Sequence, residues 1–330
     1  MPETEALQES TDLLTLSPLA PVQGIVVTDL VKTYKGGKKR ALNGLSLSVA
    51  PGEAVGLVGP NGAGKTTFLS CLMGFLRYDS GNIEIDGLPP DCLEARRLVG
   101  YLPERLTFDR WMTGRDYMHY HHELAGMPES VRKYECEELL RRVELDAAAW
   151  GQAVKKYSRG MLQRLGFAQA LLSKPKYLLL DEPASGMDPG GVLVVRNLLK
   201  ELRKEGLTII LNSHQLDQIE KVCDRVIMIE AGAAKPIDTA SDSAVDTTFD
   251  FCIKWLNGSH DGHRAEDLGA LVQRHVIAIK DLNDGQAILT LHSDREAATI
   301  LKMMVQSGFE VHNLSLLETR LEKLFAKKSS

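Results

Sequence analysis

An α/β fold around buried parallel strands, interrupted by a helical insertion and followed by a small α+β domain, is predicted by three features of the 330-residue sequence. Short apolar runs at 177–180, 208–211 and 226–229 alternate with helical segments, as buried strands of a parallel sheet do. The stretch GPNGAGKT at 59–66 matches G-x-x-x-x-G-K-[ST] between a short apolar strand and a helical pattern. From about 88 to 157 the periodicity turns helical, with charged and apolar residues recurring through 131–143.

Residues 1–22 mix acidic and small residues with Pro2, Pro18 and Pro21, the composition of a mobile tail. A first strand is expected to begin at 24–29. Leu45, Leu47 and Val49 alternate with Ser46 and Ser48, so 42–49 reads as a half-buried strand. Pro51, Gly52 and Glu53 supply the turn into the strand at 54–58. The main domain is therefore expected over 23–237, with its helical subdomain at about 88–160. Residues 238–330 form a linker and an accessory domain. Asp, Ser, Thr and Ala dominate the linker at 238–248. Beyond it Phe249, Phe251, Ile253 and Trp255 alternate with Asp250, Cys252 and Lys254, and Ala287, Leu289 and Leu291 repeat that period. Ser293 and Glu296 have capping-box spacing ahead of a helix with Ala297, Ile300, Leu301 and Met304. A further strand is expected at 309–314 and a basic terminal helix at 317–327.

Composition excludes several classes. A net charge of -5 without a basic stripe argues against a nucleic-acid binder. Cys71, Cys92, Cys136, Cys223 and Cys252 are scattered, odd in number and form no C-x-x-C pair, so reduced thiols are expected rather than disulfides or zinc. The first basic residue is Lys32, so the N-terminus lacks the basic region of a secretory signal. No window approaches the ~20 apolar residues that cross a bilayer, so a membrane role would need another chain to span it.

Gly59, Pro60, Asn61, Gly62, Ala63 and Gly64 can turn backbone N–H groups inward around phosphates, and the following helix N-terminus adds a favourable dipole. Lys65 adds a point charge, Thr66 a hydroxyl for Mg²⁺, and Thr67 completes the set. Leu178, Leu179 and Leu180 deliver Asp181 to the carboxyl end of a strand, where ligands of open parallel sheets bind. Asp181 is suited to hold the magnesium hydration shell, and Glu182 faces the other way to orient or deprotonate water. His214 follows the strand ending at Leu211 and emerges at the same edge. His119, His121, His122 and Glu123 suggest a metal only superficially; a solvated helix surface is the expectation. Phe108 and Trp111 either pack into the helical insertion or line a groove for a membrane partner.

In this order, the phosphate loop, the stretch YSRGMLQR at 157–164 and the acidic pair resemble the ATP-binding subunits of ABC transporters, over about residues 25–237. The resemblance implies a P-loop NTPase core of ABC type, with ATP and Mg²⁺ as cofactors and with Lys65, Glu182 and His214 as catalytic groups. Thr66, Asp181 and Glu104 would serve the metal, Glu104 standing where the family has a glutamine in its lid. Tyr34 falls where the family stacks an aromatic on adenine. Ser158 and Gly160 keep the phosphate-facing positions of the family's LSGGQ signature, while Arg159 and Met161 replace a Gly and a Gln as in its exporter branch. Asp188 occupies the acidic position of a loop linking two half-sites.

The resemblance further implies that two copies sandwich two Mg-ATP molecules head to tail and drive a separate transmembrane permease docked on the helical insertion. That would place the chain in the cytoplasm, peripheral on the inner face of the membrane. The accessory domain resembles an extension that stabilises or regulates the dimer, and the transported molecule leaves no trace here. The competing class is a soluble ATP-gated clamp or regulator using the same dimerisation without transport.

Overall fold

The computed structural model describes residues 24–34, 40–237, 248–256, 265–273, 276–283 and 285–317. The tail expected at 1–22 lies outside them, as do the linker at 238–248 apart from Thr248 and the terminal helix at 317–327 apart from Leu317. The elements run β1 (Ile25–Thr33), β2 (Arg40–Val49), β3 (Ala54–Val58), α1 (Lys65–Leu72), β4 (Ser80–Ile85), α2 (Leu93–Arg97) and β5 (Val99–Leu102). Then come α3 (Gly114–Leu124), α4 (Glu129–Arg142), α5 (Arg159–Leu171), β6 (Tyr177–Asp181), α6 (Pro189–Lys204), β7 (Thr208–Asn212), α7 (Leu216–Val222), β8 (Arg225–Glu230) and β9 (Ala233–Ile237). The last group is β10 (Phe249–Trp255), α8 (Ala265–Val272), β11 (Ala278–Asn283), β12 (Gln286–Leu291), α9 (Asp294–Gln306) and β13 (Val311–Leu316).

A six-stranded sheet of order β5-β6-β7-β3-β8-β9 organises the first part. It is parallel except for the edge pair β8–β9. Every residue of β3, β6 and β7 is buried, because successive side chains feed two different cores. Leu178, Leu180, Ile209 and Leu211 pack in one core with Phe167 and Leu198 from the helices. Tyr177, Leu179, Ile210 and Ile227 enter the other with Phe68 and Leu69 of α1. Residues of the antiparallel sheet β2-β1-β4, such as Ile25, Leu45 and Ile83, complete that second core. Burial on both faces is why these strands read as unbroken apolar runs. Each fully buried aliphatic side chain contributes about 1.5–3 kcal/mol.

One expectation needs correction. The stretch from about 88 contains β5, which pairs in parallel with β6 from Val99↔Tyr177 to Leu102↔Leu180. Four residues, one of them Gly100, are too short to show a two-residue period, so the sheet edge merged with the helical pattern around it. The helices of the insertion are α3 and α4, packed on α5. His122 also departs from the solvated surface expected of its helix: it is fully buried, with Nε2 3.2 Å from Glu135 Oε2. Glu135 Oε1 in turn accepts from Lys174 at 2.6 Å, and this bond holds the Glu135 carboxyl below its ordinary range.

The last part has its own antiparallel sheet, β11-β12-β10-β13. Phe251, Ile253, Trp255, Leu289, Ile300 and Met304 form a third core there. Ser293 caps α9 by accepting from Glu296 N, and Glu296 Oε2 accepts from His292 N, one residue earlier than a standard capping box. The strand expected at 309–314 lies at Val311–Leu316. Among the described residues no helix is long and apolar enough to cross a membrane.

Candidate active site

The chain leaves β3 through Gly59 and enters α1 at Lys65. Gly59 (φ 148°) and Gly64 (φ 113°) both adopt conformations disfavoured for other residues. A Cβ on Gly59 would stand 2.1 Å from Ile229 O, and one on Gly64 2.4 Å from Ala41 O. The loop is therefore wedged between backbone of β8 and β2. No side chain caps α1, and no acidic residue lies in its first turn. Its first N–H groups thus remain open to an anion. Lys65 Nζ donates to Gly59 O at 2.7 Å and Pro60 O at 3.2 Å, folding the ammonium back onto the loop. Burial lowers the Lys65 pKa, and the charges of Glu182 and Asp181 oppose that shift. Tyr34 is half exposed, with its hydroxyl 3.2 Å from Thr67 Oγ1. Thr66 is exposed at the start of the helix.

Asp181 ends β6 in register with Asn212 at the end of β7. Asp181 is 2% exposed, and its carboxyl accepts from Asn212 Nδ2 at 2.5 Å. Burial pushes the Asp181 pKa up, the charges of Glu104 and Glu182 push the same way, and the Asn212 bond and Lys65 oppose them. Glu182 has φ 52°, a left-handed turn rare outside glycine. Its own N–H donates to Asn212 O at 2.9 Å. Glu182 Oε1 accepts from His214 N at 3.0 Å, while Oε2 lies 2.8 Å from His214 Nδ1 and 3.4 Å from Ser213 Oγ.

Lys65, Asp181, Glu182, His214 and Glu104 thus share one electrostatic neighbourhood, with Tyr34 beside the loop. Ser158 and Asp188 are the N-caps of α5 and α6, and Gly160 is the second residue of α5. Ser158 caps α5 by accepting from Met161 N at 3.3 Å, and Asp188 caps α6 by accepting from Gly191 N at 3.2 Å. Among the described residues no hydrogen bond or ion pair connects these three with Lys65, Asp181, Glu182 or His214. Asn212 and Ser213 were not anticipated from the sequence. The available signal was a buried strand that ends on a polar residue opposite Asp181.

Oxygen donors suit Mg²⁺, which keeps several waters and substrate phosphates around one or two protein ligands. A buried Asp181 carboxylate and a nearby exposed Thr66 fit that pattern. Among the described residues no group of three or more His, Cys, Asp or Glu side chains could hold a metal by itself.

A phosphate loop, a buried acid and a carboxylate paired with imidazole, all at the carboxyl edge of a parallel sheet, define a site of the phosphate-loop nucleotide hydrolases. A family model described as ABC transporter matches residues 42–185. An uncharacterized ABC transporter ATP-binding protein of Nostoc is 40% identical over 63% of this chain, and the match spans 64% of that relative, just under two thirds of its length. The daunorubicin resistance ATP-binding protein DrrA3 of Streptomyces coeruleorubidus is 30% identical, with 91% of this chain and 94% of the relative aligned. Among solved structures, a dimeric bacterial ABC transporter cassette superposes with a TM-score of 0.60 at 25% identity, covering 64% of this chain and 96% of that one. The chain belongs to the ABC transporter ATP-binding proteins.

Proposed function

We propose that two copies of this chain close head to tail on two Mg-ATP molecules and thereby drive a separate membrane-spanning exporter permease. The observation that carries this reading is the division of the site. The phosphate loop, Asp181, Glu182 and His214 gather around one phosphate position, while among the described residues Ser158 and Gly160 themselves make no hydrogen bond to any of them, their segment reaching the 182–187 turn through Arg159 and Ser185. A second copy supplies the missing half for each nucleotide.

In this reading Tyr34 stacks on adenine and the N–H groups at 59–64 and the α1 terminus hold the phosphates. Lys65 leaves its carbonyl partners for the phosphate oxygens. Thr66, Asp181 and Glu104 hold Mg²⁺, which when bound neutralises the β- and γ-phosphate charge. Glu182 receives the proton of the attacking water, and His214 holds both of its oxygens in place through backbone and ring. Ser158 and Gly160 of one copy meet the γ-phosphate held by the other, and Asp188 lies on the loop that joins the half-sites. Shifting the pair from about 1:99 to 99:1 closed requires roughly 5.5 kcal/mol of preferential ATP affinity. Cleavage of the γ-phosphate removes the bridge and the pair opens.

The permease reading draws support from a groove of ≈ 1050 Å³ between the sheet edge and the helical insertion. Phe75, Tyr120 and Leu124 line it and are at least half exposed, and Phe108 contributes a ring packed edge-on against Tyr117 at 5.0 Å. An aromatic, exposed groove at that junction suits an apolar helix end from the permease. The export direction follows the resistance relative, and a cytoplasmic, membrane-peripheral location follows from the permease. The deciding experiment is Glu182→Gln, which should retain ATP and run as a stable dimer by light scattering; a monomer with ATP bound would remove the two-copy mechanism.

A further inference from the structure

We propose that Arg159 is a positioning residue for Glu182, acting through Ser185. Arg159 is the first residue of α5, where the helix dipole disfavours a cation. Among the described residues no carboxylate pairs with it. Its guanidinium instead donates to Ser185 Oγ at 3.1 Å and lies flat against Gly186. A Cβ on Gly186 would stand 2.3 Å from the Arg159 guanidinium carbon, so the glycine leaves the space that the arginine fills.

The turn so held is the one that carries the catalytic carboxylate. Ser185 N donates to Glu182 O at 3.1 Å, and Met187 N donates to Ala184 O at 3.2 Å. Glu182 itself stands at a left-handed φ that its surroundings must maintain. Arg159, Ser185 and Glu182 therefore form one bonded series from the start of α5 to the backbone carbonyl of Glu182, the residue whose carboxylate His214 grips. A glycine at 159 would reach neither partner. The arginine makes the Ser158–Gly160 segment and the 182–187 turn a single unit. In the two-copy site, on which this part rests, engagement of Ser158 with the partner's nucleotide is then felt at the chain's own Glu182.

The test is a double-mutant cycle on steady-state ATP hydrolysis by the full chain with Arg159→Ala, Ser185→Ala and both together. Each single variant should lower kcat by between about tenfold and a hundredfold, as small misplacements of a catalytic group do, with KM for ATP within about twofold. The double variant should be no worse than the weaker single, because both remove the same bond. Additive losses, or a raised KM with unchanged kcat, would overturn the proposal, the latter by showing that Arg159 touches nucleotide. Glu182→Gln dimerisation, measured in parallel, judges the two-copy reading separately, since the cycle needs only hydrolysis.

Discussion

His214 holds both oxygens of Glu182, its backbone N–H 3.0 Å from Oε1 and its ring Nδ1 2.8 Å from Oε2. The carboxylate is thus fixed by His214 at both oxygens, with Ser213 Oγ a longer 3.4 Å from Oε2, and its outward rotation is set before any water arrives. Glu182 is 14% exposed and the imidazole 69% exposed, so the pair can meet substrate while the carboxylate stays sheltered.

His214→Ala should therefore leave folding intact and lower kcat by about 10²- to 10⁴-fold, the range for disrupting a general base. Substrate affinity should change little, because the His214 ring is engaged with Glu182 Oε2 at 2.8 Å. Steady-state kinetics with matched thermal melts checks it; turnover at the parental rate would separate His214 from the chemistry.

Asn212 braces the buried carboxyl of Asp181. Asn212→Ala removes the donor to a carboxyl that is almost wholly buried, and should cost about 1–3 kcal/mol of stability. Asn212→Asp is worse in a diagnostic way. It sets a second carboxyl at bonding distance from Asp181, whose pKa burial already raises. At acidic pH the two share a proton; as pH rises both ionise and repel, so stability must fall with rising pH. Urea unfolding at several pH values reads this directly, and a flat difference from the parent would refute it.

Glu135 predicts the opposite trend. Its pKa is depressed by Lys174 first and by His122 as well. A carboxyl with a lowered native pKa contributes stability above its unfolded value of about 4.3, and that contribution disappears as pH falls through the native one. Glu135→Gln should melt below the parent at neutral pH and converge with it on acidification. A gap in melting temperature that persisted into strong acid would show that the loss is one of packing instead.

Much of this site was legible because its chemistry is local. A loop must have glycines at 59 and 64 to reach its shape, and a buried strand must end on Asp181 to deliver it, so spacing alone carried both. Strand β5 was not legible, since four residues at a sheet edge leave no period to read. Asn212 and the contact made by Arg159 escaped for a different reason. Each acts through a residue far along the chain, Asp181 and Ser185, and no pattern within a window reports a partner 31 or 26 positions away. His122 was misjudged because α3 is flanked by α4 on the side that composition suggested was wet.

The walls that squeeze Gly59 and Gly64 are main-chain carbonyls of Ile229 and Ala41, and a carbonyl is the same whichever amino acid bears it. Mutagenesis libraries should accordingly show a lopsided map. Positions 59 and 64 would be purged of everything but glycine, whereas Ala41, whose side chain takes no part in the wedge, would accept many replacements.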